Sequence, residues 1–220
     1  MIPRILLLAC LALGAAPALA QQVNRAGHAE FYLSPIFTDS KNFSSSDGAN
    51  VQQDTGYGLA MGYVYNMDNH LSFGGEFGWG GADYRATVQP GAGNGNSSAR
   101  ISGTVETWTL RFLGNYYFGN GRLSPFVTGG FGWTTIDTNI PTGLPENICW
   151  VYPWYGSYCG TYVPTKTLTK FSYNAGVGLR YDFGGRGFVR GLVNSQWADV
   201  GGALGTAQWT QYRIDIGSMF

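Results

Sequence analysis

The chain has 220 residues, enough for one domain, and its 34 glycines, 15% aromatic residues, 12% charged residues and zero formal net charge are an unusual combination. A soluble globule carries about a quarter charged residues, so this composition speaks against one and suits a protein whose outer surface faces lipid. The neutral balance leaves no electrostatic argument for nucleic acid or an anionic membrane surface as partner.

The N-terminus sets the compartment. Arg4 precedes the apolar run 5–13, and Ala18-Leu19-Ala20 forms an A-x-A cleavage pattern before Gln21, so residues 1–20 are expected to be a removed export signal. Cys10 ends an LLAC that weakly resembles a lipobox, but too few apolar residues precede it. No later segment approaches the roughly 18 apolar residues that a membrane helix requires. A closed β-barrel is the other structure that satisfies its backbone within a bilayer.

The mature chain 21–220 then alternates. Residues 21–27 are expected to be a polar periplasmic lead-in. A first strand is predicted over 28–37, with Phe31, Leu33 and Phe37 on one parity and Glu30 and Ser34 on the other. Residues 38–53 read as a long polar loop. Over 54–65, Tyr57, Leu59, Met61, Tyr63 and Tyr65 alternate with Gly58, Ala60, Gly62 and Val64. After a turn at 66–70, the strand 71–79 places Leu71, Phe73, Phe77 and Trp79 opposite Ser72, Gly74, Glu76 and Gly78. Residues 83–100 contain PGAGNGNSS and read as a second flexible loop.

The next strand covers 101–118, its later half alternating Trp108, Leu110, Phe112, Tyr116 and Phe118 with Thr109, Arg111 and Asn115. A short turn at 119–122 leads to 123–135, where Leu123, Pro125, Val127, Phe131 and Trp133 face away from Ser124, Thr128, Gly130 and Gly132. Residues 137–170 are expected to be the longest irregular segment. Strands over 171–183 and 188–199 follow, joined by the GGRG turn at 184–187 and followed by a loop over 200–206. The last strand, 209–220, sets Tyr212, Ile214, Ile216 and Phe220 against Gln211, Arg213 and Asp215.

Period-2 alternation marks strands with one apolar face. Each such pattern is a weak signal, but here short turns alternate with longer loops and both termini lie on the turn side. The fold class is therefore all-β: an eight-stranded antiparallel up-and-down transmembrane β-barrel. Eight strands make a barrel whose interior side chains just fill it.

Residues 123–133 (LSPFVTGGFGW), 174–183 (NAGVGLRYDF) and the terminal QYRIDIGSMF resemble small bacterial outer-membrane β-barrels of the outer membrane protein A transmembrane-domain and opacity-protein type. The resemblance extends over residues 28–220. It implies location in the cell outer membrane and a role for the C-terminal Phe220 in the signal read by the outer-membrane assembly machinery. It also implies contact with outer-membrane lipid and lipopolysaccharide. The chain departs from outer membrane protein A in ending at the barrel, so peptidoglycan binding is not carried over.

The inward parity carries Glu76, Arg111, Arg180, Arg190, Arg213 and Asp215, with Glu30 toward the periplasmic end. An Arg facing lipid at mid-bilayer would cost about 2–4 kcal/mol, so these groups are expected to pair inside the barrel. They then form either a static polar core or a gate of exchangeable salt bridges on a narrow, porin-like path for ions or small solutes. Aromatics near strand ends suit interfacial girdles. Cys149 and Cys159 flank a loop with Trp150, Tyr152, Trp154, Tyr155 and Tyr158. In an oxidising compartment the two are expected to form a disulfide. The aromatic loop reads as a surface epitope for a host or surface ligand, or as a lid on the barrel mouth.

Enzymatic readings lack residues. The two histidines, His28 and His70, make no spacing with a nucleophile or a metal-ligand set, and no cofactor is expected. The expected role is structural and surface-interacting (adhesin-like), in a monomer.

Overall fold

The computed structural model describes residues 22–44, 50–88, 99–141, 146–152, 154, 156–162, 165–199 and 206–220. The proposed export signal at 1–20 lies outside the described residues. Twelve strands run in chain order: β1 (Ala29–Thr38), β2 (Lys41–Ser44), β3 (Asn50–Gln53), β4 (Gly56–Asn66), β5 (Leu71–Val88), β6 (Ala99–Tyr117), β7 (Leu123–Pro141), β8 (Glu146–Tyr152), β9 (Gly156–Tyr162), β10 (Thr165–Asp182), β11 (Gly187–Asp199) and β12 (Thr206–Met219).

Eight of these close on themselves. Each pairs antiparallel with its neighbours in the order β1-β4-β5-β6-β7-β10-β11-β12, and β12 returns to β1. The seam runs from Glu30↔Met219 to Thr38↔Gln211. It is fastened at its end by Ala29 and Phe220, whose amides each donate to the other's carbonyl at 3.0 and 2.9 Å. Closure removes the edges that β1 and β12 would otherwise expose.

Alternation sorts the side chains as the pleat requires. Apolar residues such as Phe31, Leu59, Tyr63, Phe112, Phe131, Val177, Ile214 and Ile216 point outward and remain exposed to the surroundings of the barrel. Aromatic rings gather in two belts. Toward the turn end Tyr116 meets Phe118 and Tyr181 meets Phe183, both at 5.4 Å, and Phe220 lies 6.2 Å from Tyr63. Toward the loop end Trp79 stacks on Trp108 at 6.0 Å and Tyr173 on Trp197 at 5.3 Å. Such belts sit where amphipathic rings prefer the headgroup level.

Three segments read from sequence as loops contain more strand than expected. Residues 38–53 hold the β2–β3 hairpin, which pairs onto the outer part of β5. Over 83–100, β5 runs on to Val88 and β6 starts at Ala99. Over 137–170, β7 continues to Pro141, β10 begins at Thr165, and the separate hairpin β8–β9 lies between them. Beyond the bilayer neither face must be apolar, so these extensions lose the alternation that betrays a strand while keeping the backbone ladder that makes one.

Inside, small residues let strands and rings approach. A side chain at Gly132 would collide with the carbonyl of Leu110 and with Arg111 on β6, whereas one at the outward Gly191 would meet nothing within 4 Å. Gly132→Val is therefore expected to destabilise the barrel by about 1–3 kcal/mol through overpacking, and Gly191→Ala to change little. Heat-modifiable gel migration against urea reads both, and equal midpoints would contradict the inward placement of Gly132.

Candidate functional site

The lumen holds the chain's chemistry. From the periplasmic end, the first group is Arg25, which belongs to no strand. The lead-in reverses at Gly27, where φ is +76°, a backbone region that glycine enters without cost. Asn69 holds the reversal, its side-chain oxygen accepting from the amides of Arg25 and Ala26 at 2.8 and 3.2 Å. The Arg25 side chain then enters the barrel mouth fully buried. Its guanidinium donates to the Asp182 carboxylate at 2.6 Å, to Ser124 Oγ at 2.8 Å and to the carbonyls of Gly119 and Gly121 at 3.1 and 3.0 Å. The lead-in is thus a stopper as well as a spacer.

The groups above it alternate in sign. Asp182 also pairs with Arg180 at 2.8 Å, and Arg180 pairs with Glu30 at 2.8 Å. Glu30 lies 4.0 Å from Arg190, and Arg190 pairs with Asp215 at 3.1 Å. Asp215 contacts Arg213 at 3.3 Å. Arg213 grips Glu76 with both terminal nitrogens, and Glu76 pairs with Arg111 at 2.6 Å. The sequence Arg25–Asp182–Arg180–Glu30–Arg190–Asp215–Arg213–Glu76–Arg111 is one continuous string of opposite charges, with an arginine at each end. Every member is buried, none more than 5% exposed.

Hydroxyls and rings complete the packing. Tyr32 donates to Glu76 Oε2 at 2.7 Å, and Ser34 Oγ accepts from Arg213 Nε at 3.1 Å. The Tyr117 hydroxyl accepts from Arg180 and Arg190 at 3.1 and 3.2 Å. These two arginines face each other directly across β10 and β11, an arrangement that repels on its own. Glu30 reaches them from β1, and the rings of Phe188 and Tyr32 lie 4.1 Å from Arg180 and 4.4 Å from Arg190. A guanidinium over an aromatic face is attracted to the ring quadrupole.

The structure thus brings Glu76, Arg111, Arg180, Arg190, Arg213 and Asp215 together. Sequence reading left Arg25, Asp182, Tyr32 and Tyr117 out of this set. Asp182 shares the parity of Arg180 and was findable on that ground. Arg25 sits in an aperiodic lead-in, and the two inward tyrosines look like lipid-facing aromatics when counted by type.

Above Arg111 the lumen changes character. Inward glycines Gly56, Gly58, Gly78 and Gly80 line one wall, and Thr107, Thr109, Thr134, Gln196 and Gln211 stand among the lining residues, around a cavity of about 70 Å³ with Arg111 at its floor. Trp209 also lines it and donates to Gln53 Oε1 at 3.0 Å.

The remaining residues singled out from sequence lie elsewhere. Cys149 and Cys159 are cross-strand partners in β8–β9, joined by a disulfide, and both are exposed. Trp154, at the tip between the two strands, is 90% exposed. Trp150, Tyr152 and Tyr158 occupy positions on β8 and β9, and Tyr155 lies outside the described residues. His28 and His70 rest on the carbonyls of Ala26 and Tyr117. At the turn, Asp68 accepts from the amides of His70 and Leu71 at 2.6 and 2.7 Å, which holds its carboxyl below the usual range.

Removing one partner from a buried pair costs about 3–5 kcal/mol, whereas an exposed pair contributes about 0–1 kcal/mol. Glu30→Gln should therefore lower unfolding stability by several kcal/mol. Asp54→Asn, which releases only the exposed Arg85, should leave it nearly unchanged. Urea titration of barrel refolded in detergent checks this, and equal effects would mean the string does not hold the barrel.

The chain matches the family model described as outer membrane protein beta-barrel domain over residues 6–217. No curated protein matches it. Among solved structures, OprG from Pseudomonas aeruginosa aligns at 13% identity and a TM-score of 0.55, over 89% of this chain and 97% of that one. Neisserial surface protein A aligns at 11% identity and 0.48, over 86% of this chain and 97% of that one. Ail of Yersinia pestis, solved with the heparin analogue sucrose octasulfate, aligns at 12% identity and 0.47, over 89% and 99%. At these identities the likeness is one of fold. With the family model spanning almost the whole chain, the protein belongs to the outer membrane protein beta-barrel domain family and resides in the bacterial outer membrane.

Proposed function

We propose that this barrel is a surface-interaction (adhesin-like) protein whose binding elements are carried above the membrane. The observation that carries the reading is the disulfide-tied hairpin β8–β9 with Trp154 90% exposed at its tip. A large ring displayed to solvent on a covalently tied support contributes contact area at little entropic cost. The support extends far enough. Crossing a bilayer takes about 9–11 residues per strand, and β5, β6, β7 and β10 have 18, 19, 19 and 18. The surplus forms a collar of paired strands. In this reading residues 1–20 are the removed export signal, Phe220 is part of the assembly signal, and the outward face meets lipid and lipopolysaccharide in a monomeric barrel.

A second reading is a narrow pore gated by the lumen charges. It is favoured by one feature: Glu76 is shared between Arg111 and Arg213, so one pair can part while the other holds. Against it stands the unbroken string of buried charges across the lumen.

Two measurements separate these readings. Whole-cell binding to host cells or immobilised glycans should fall several-fold on deletion of 146–162 and on Trp154→Ala; undiminished binding in both would remove the hairpin from the function. In planar bilayers the wild type and Arg111→Ala should both show negligible conductance, and discrete openings in the wild type would favour the pore.

A further inference from the structure

The geometry points to a binding site for a small monocarboxylate in the cavity above the charge string, reached from the outer mouth and closed beneath. The inference goes beyond the surface role and does not rest on it.

The string of lumen charges alternates strictly and has an arginine at both ends, five guanidiniums against four carboxylates. It therefore carries one formal positive charge more than it neutralises. The two ends are not equivalent. At the periplasmic end both terminal nitrogens of Arg25 are covered, by the carbonyls of Asn69, Gly119 and Gly121, by Ser124 Oγ and by Asp182, and only its Nε has no acceptor among the described residues. At the outer end Arg111 spends Nε and Nη2 on Glu76, and its buried Nη1 has no acceptor among the described residues. An arginine fork carries two N–H donors on that nitrogen, and a buried donor seeks a partner. Of the two end arginines, Arg111 is the one that lines this cavity and leaves a terminal nitrogen without an acceptor among the described residues.

The cavity walls fit a small anion. Among the described residues no acidic side chain lines the space, and the Glu76 carboxylate beneath it is already held by Arg111, Arg213 and Tyr32. Thr109 and Thr134 bring their hydroxyls within 3.5 Å of each other, and Gln196 Nε2 donates to Thr134 Oγ1 at 2.8 Å. Thr134 Oγ1 donates in turn to Ser172 at 2.9 Å, so these hydroxyls present lone pairs to a donor group on the same ligand, while the glycine wall admits its apolar side. A volume of about 70 Å³ limits the ligand to a few heavy atoms. A carboxylate matches the planar guanidinium donors and supplies the single negative charge.

The test uses full-length mature barrel refolded in detergent and shown to be heat-modifiable, titrated calorimetrically with lactate and with its uncharged isostere lactamide. Lactate should bind saturably and lactamide more weakly by roughly tenfold or more, the worth of one charge-assisted hydrogen bond. Arg111→Gln should abolish the preference. Gly78→Leu puts a side chain into the cavity and leaves both members of the Arg111–Glu76 pair in place; a Cβ at Gly78 meets only Ala60 and Thr109 at ordinary contact distances of 3.7 and 3.9 Å. It should remove lactate binding from a barrel that still folds, and it decides the matter if Arg111→Gln does not fold. Absence of lactate binding, equal binding of lactamide, or lactate binding that survives Gly78→Leu each overturns the proposal.

Discussion

Charge inside a membrane barrel has few escapes, and the rest of this structure depends on how nine ionisable groups satisfy one another. Water is scarce in a lumen that side chains fill, and lipid lies on the other side of a one-residue-thick wall. An arginine turned outward at mid-bilayer costs about 2–4 kcal/mol, and one left alone inside costs more than a paired one. The string from Arg25 to Arg111 meets both conditions because its members come from β1, β5, β6, β10, β11, β12 and the lead-in. It runs across the barrel instead of along one strand, so it ties distant parts of the wall together. The same requirement fixes register. Slipping a strand by one residue would exchange its faces and send Arg190, or Arg213 and Asp215 together, into lipid.

Space for these long side chains comes from strands that contribute no charge. Inward on β4 stand Gly58, Ala60, Gly62 and Val64, and on β7 Gly130 and Gly132. A side chain at Gly62 would strike the ring of Tyr32, which lies across that position to reach Glu76. A side chain at Gly217 would likewise strike Phe188, whose ring covers Arg180 and Arg190. Glycine abundance, first visible as a bias in composition, is in large part the counterpart of the arginines. Where the glycines continue outward on β4 and β5 past the last charge, the lumen widens into the cavity above Arg111. The filled and the open halves of the barrel are two uses of the same small residues.

What could be read from sequence followed from the bilayer. Within it one face must be apolar, so Tyr57 to Tyr65 or Tyr212 to Phe220 announce their strands and their outward parity, and Glu76, Arg111 and Arg213 fall inward by exclusion. Outside it that rule lapses. The outer parts of β5 and β6, from Asp83 to Val88 and from Ala99 to Thr107, pair residue for residue, yet put the polar Asp83, Arg85, Ser102 and Thr104 on the outward parity that carries Trp79 and Trp108 within the bilayer. A search for alternation is blind to them. Arg25 was hidden for a different reason: its position depends on a single reversal at Gly27 and on Asn69, neither of which imposes a period. Tyr32 and Tyr117 mislead because aromatics in such a barrel usually point out. Parity places them correctly where residue type does not.

The β8–β9 hairpin shows what replaces the bilayer as an organising constraint once the chain is in water. It forms its own two-stranded sheet, separate from the barrel, and an isolated two-stranded hairpin is marginal in water. The neighbouring extensions avoid this by remaining part of the barrel's ladder, as the β2–β3 hairpin does by pairing onto β5. The β8–β9 hairpin has no such ladder and is held instead by the bond between Cys149 and Cys159, which face each other across it with a sequence separation of 10. Cross-linking so short a loop restrains the open chain by somewhat under 3 kcal/mol in the chain-entropy model, comparable to what a hairpin lacks. The covalent bond therefore ties together two strands that, among the described residues, pair only with each other, and Trp154 stands 90% exposed at their tip.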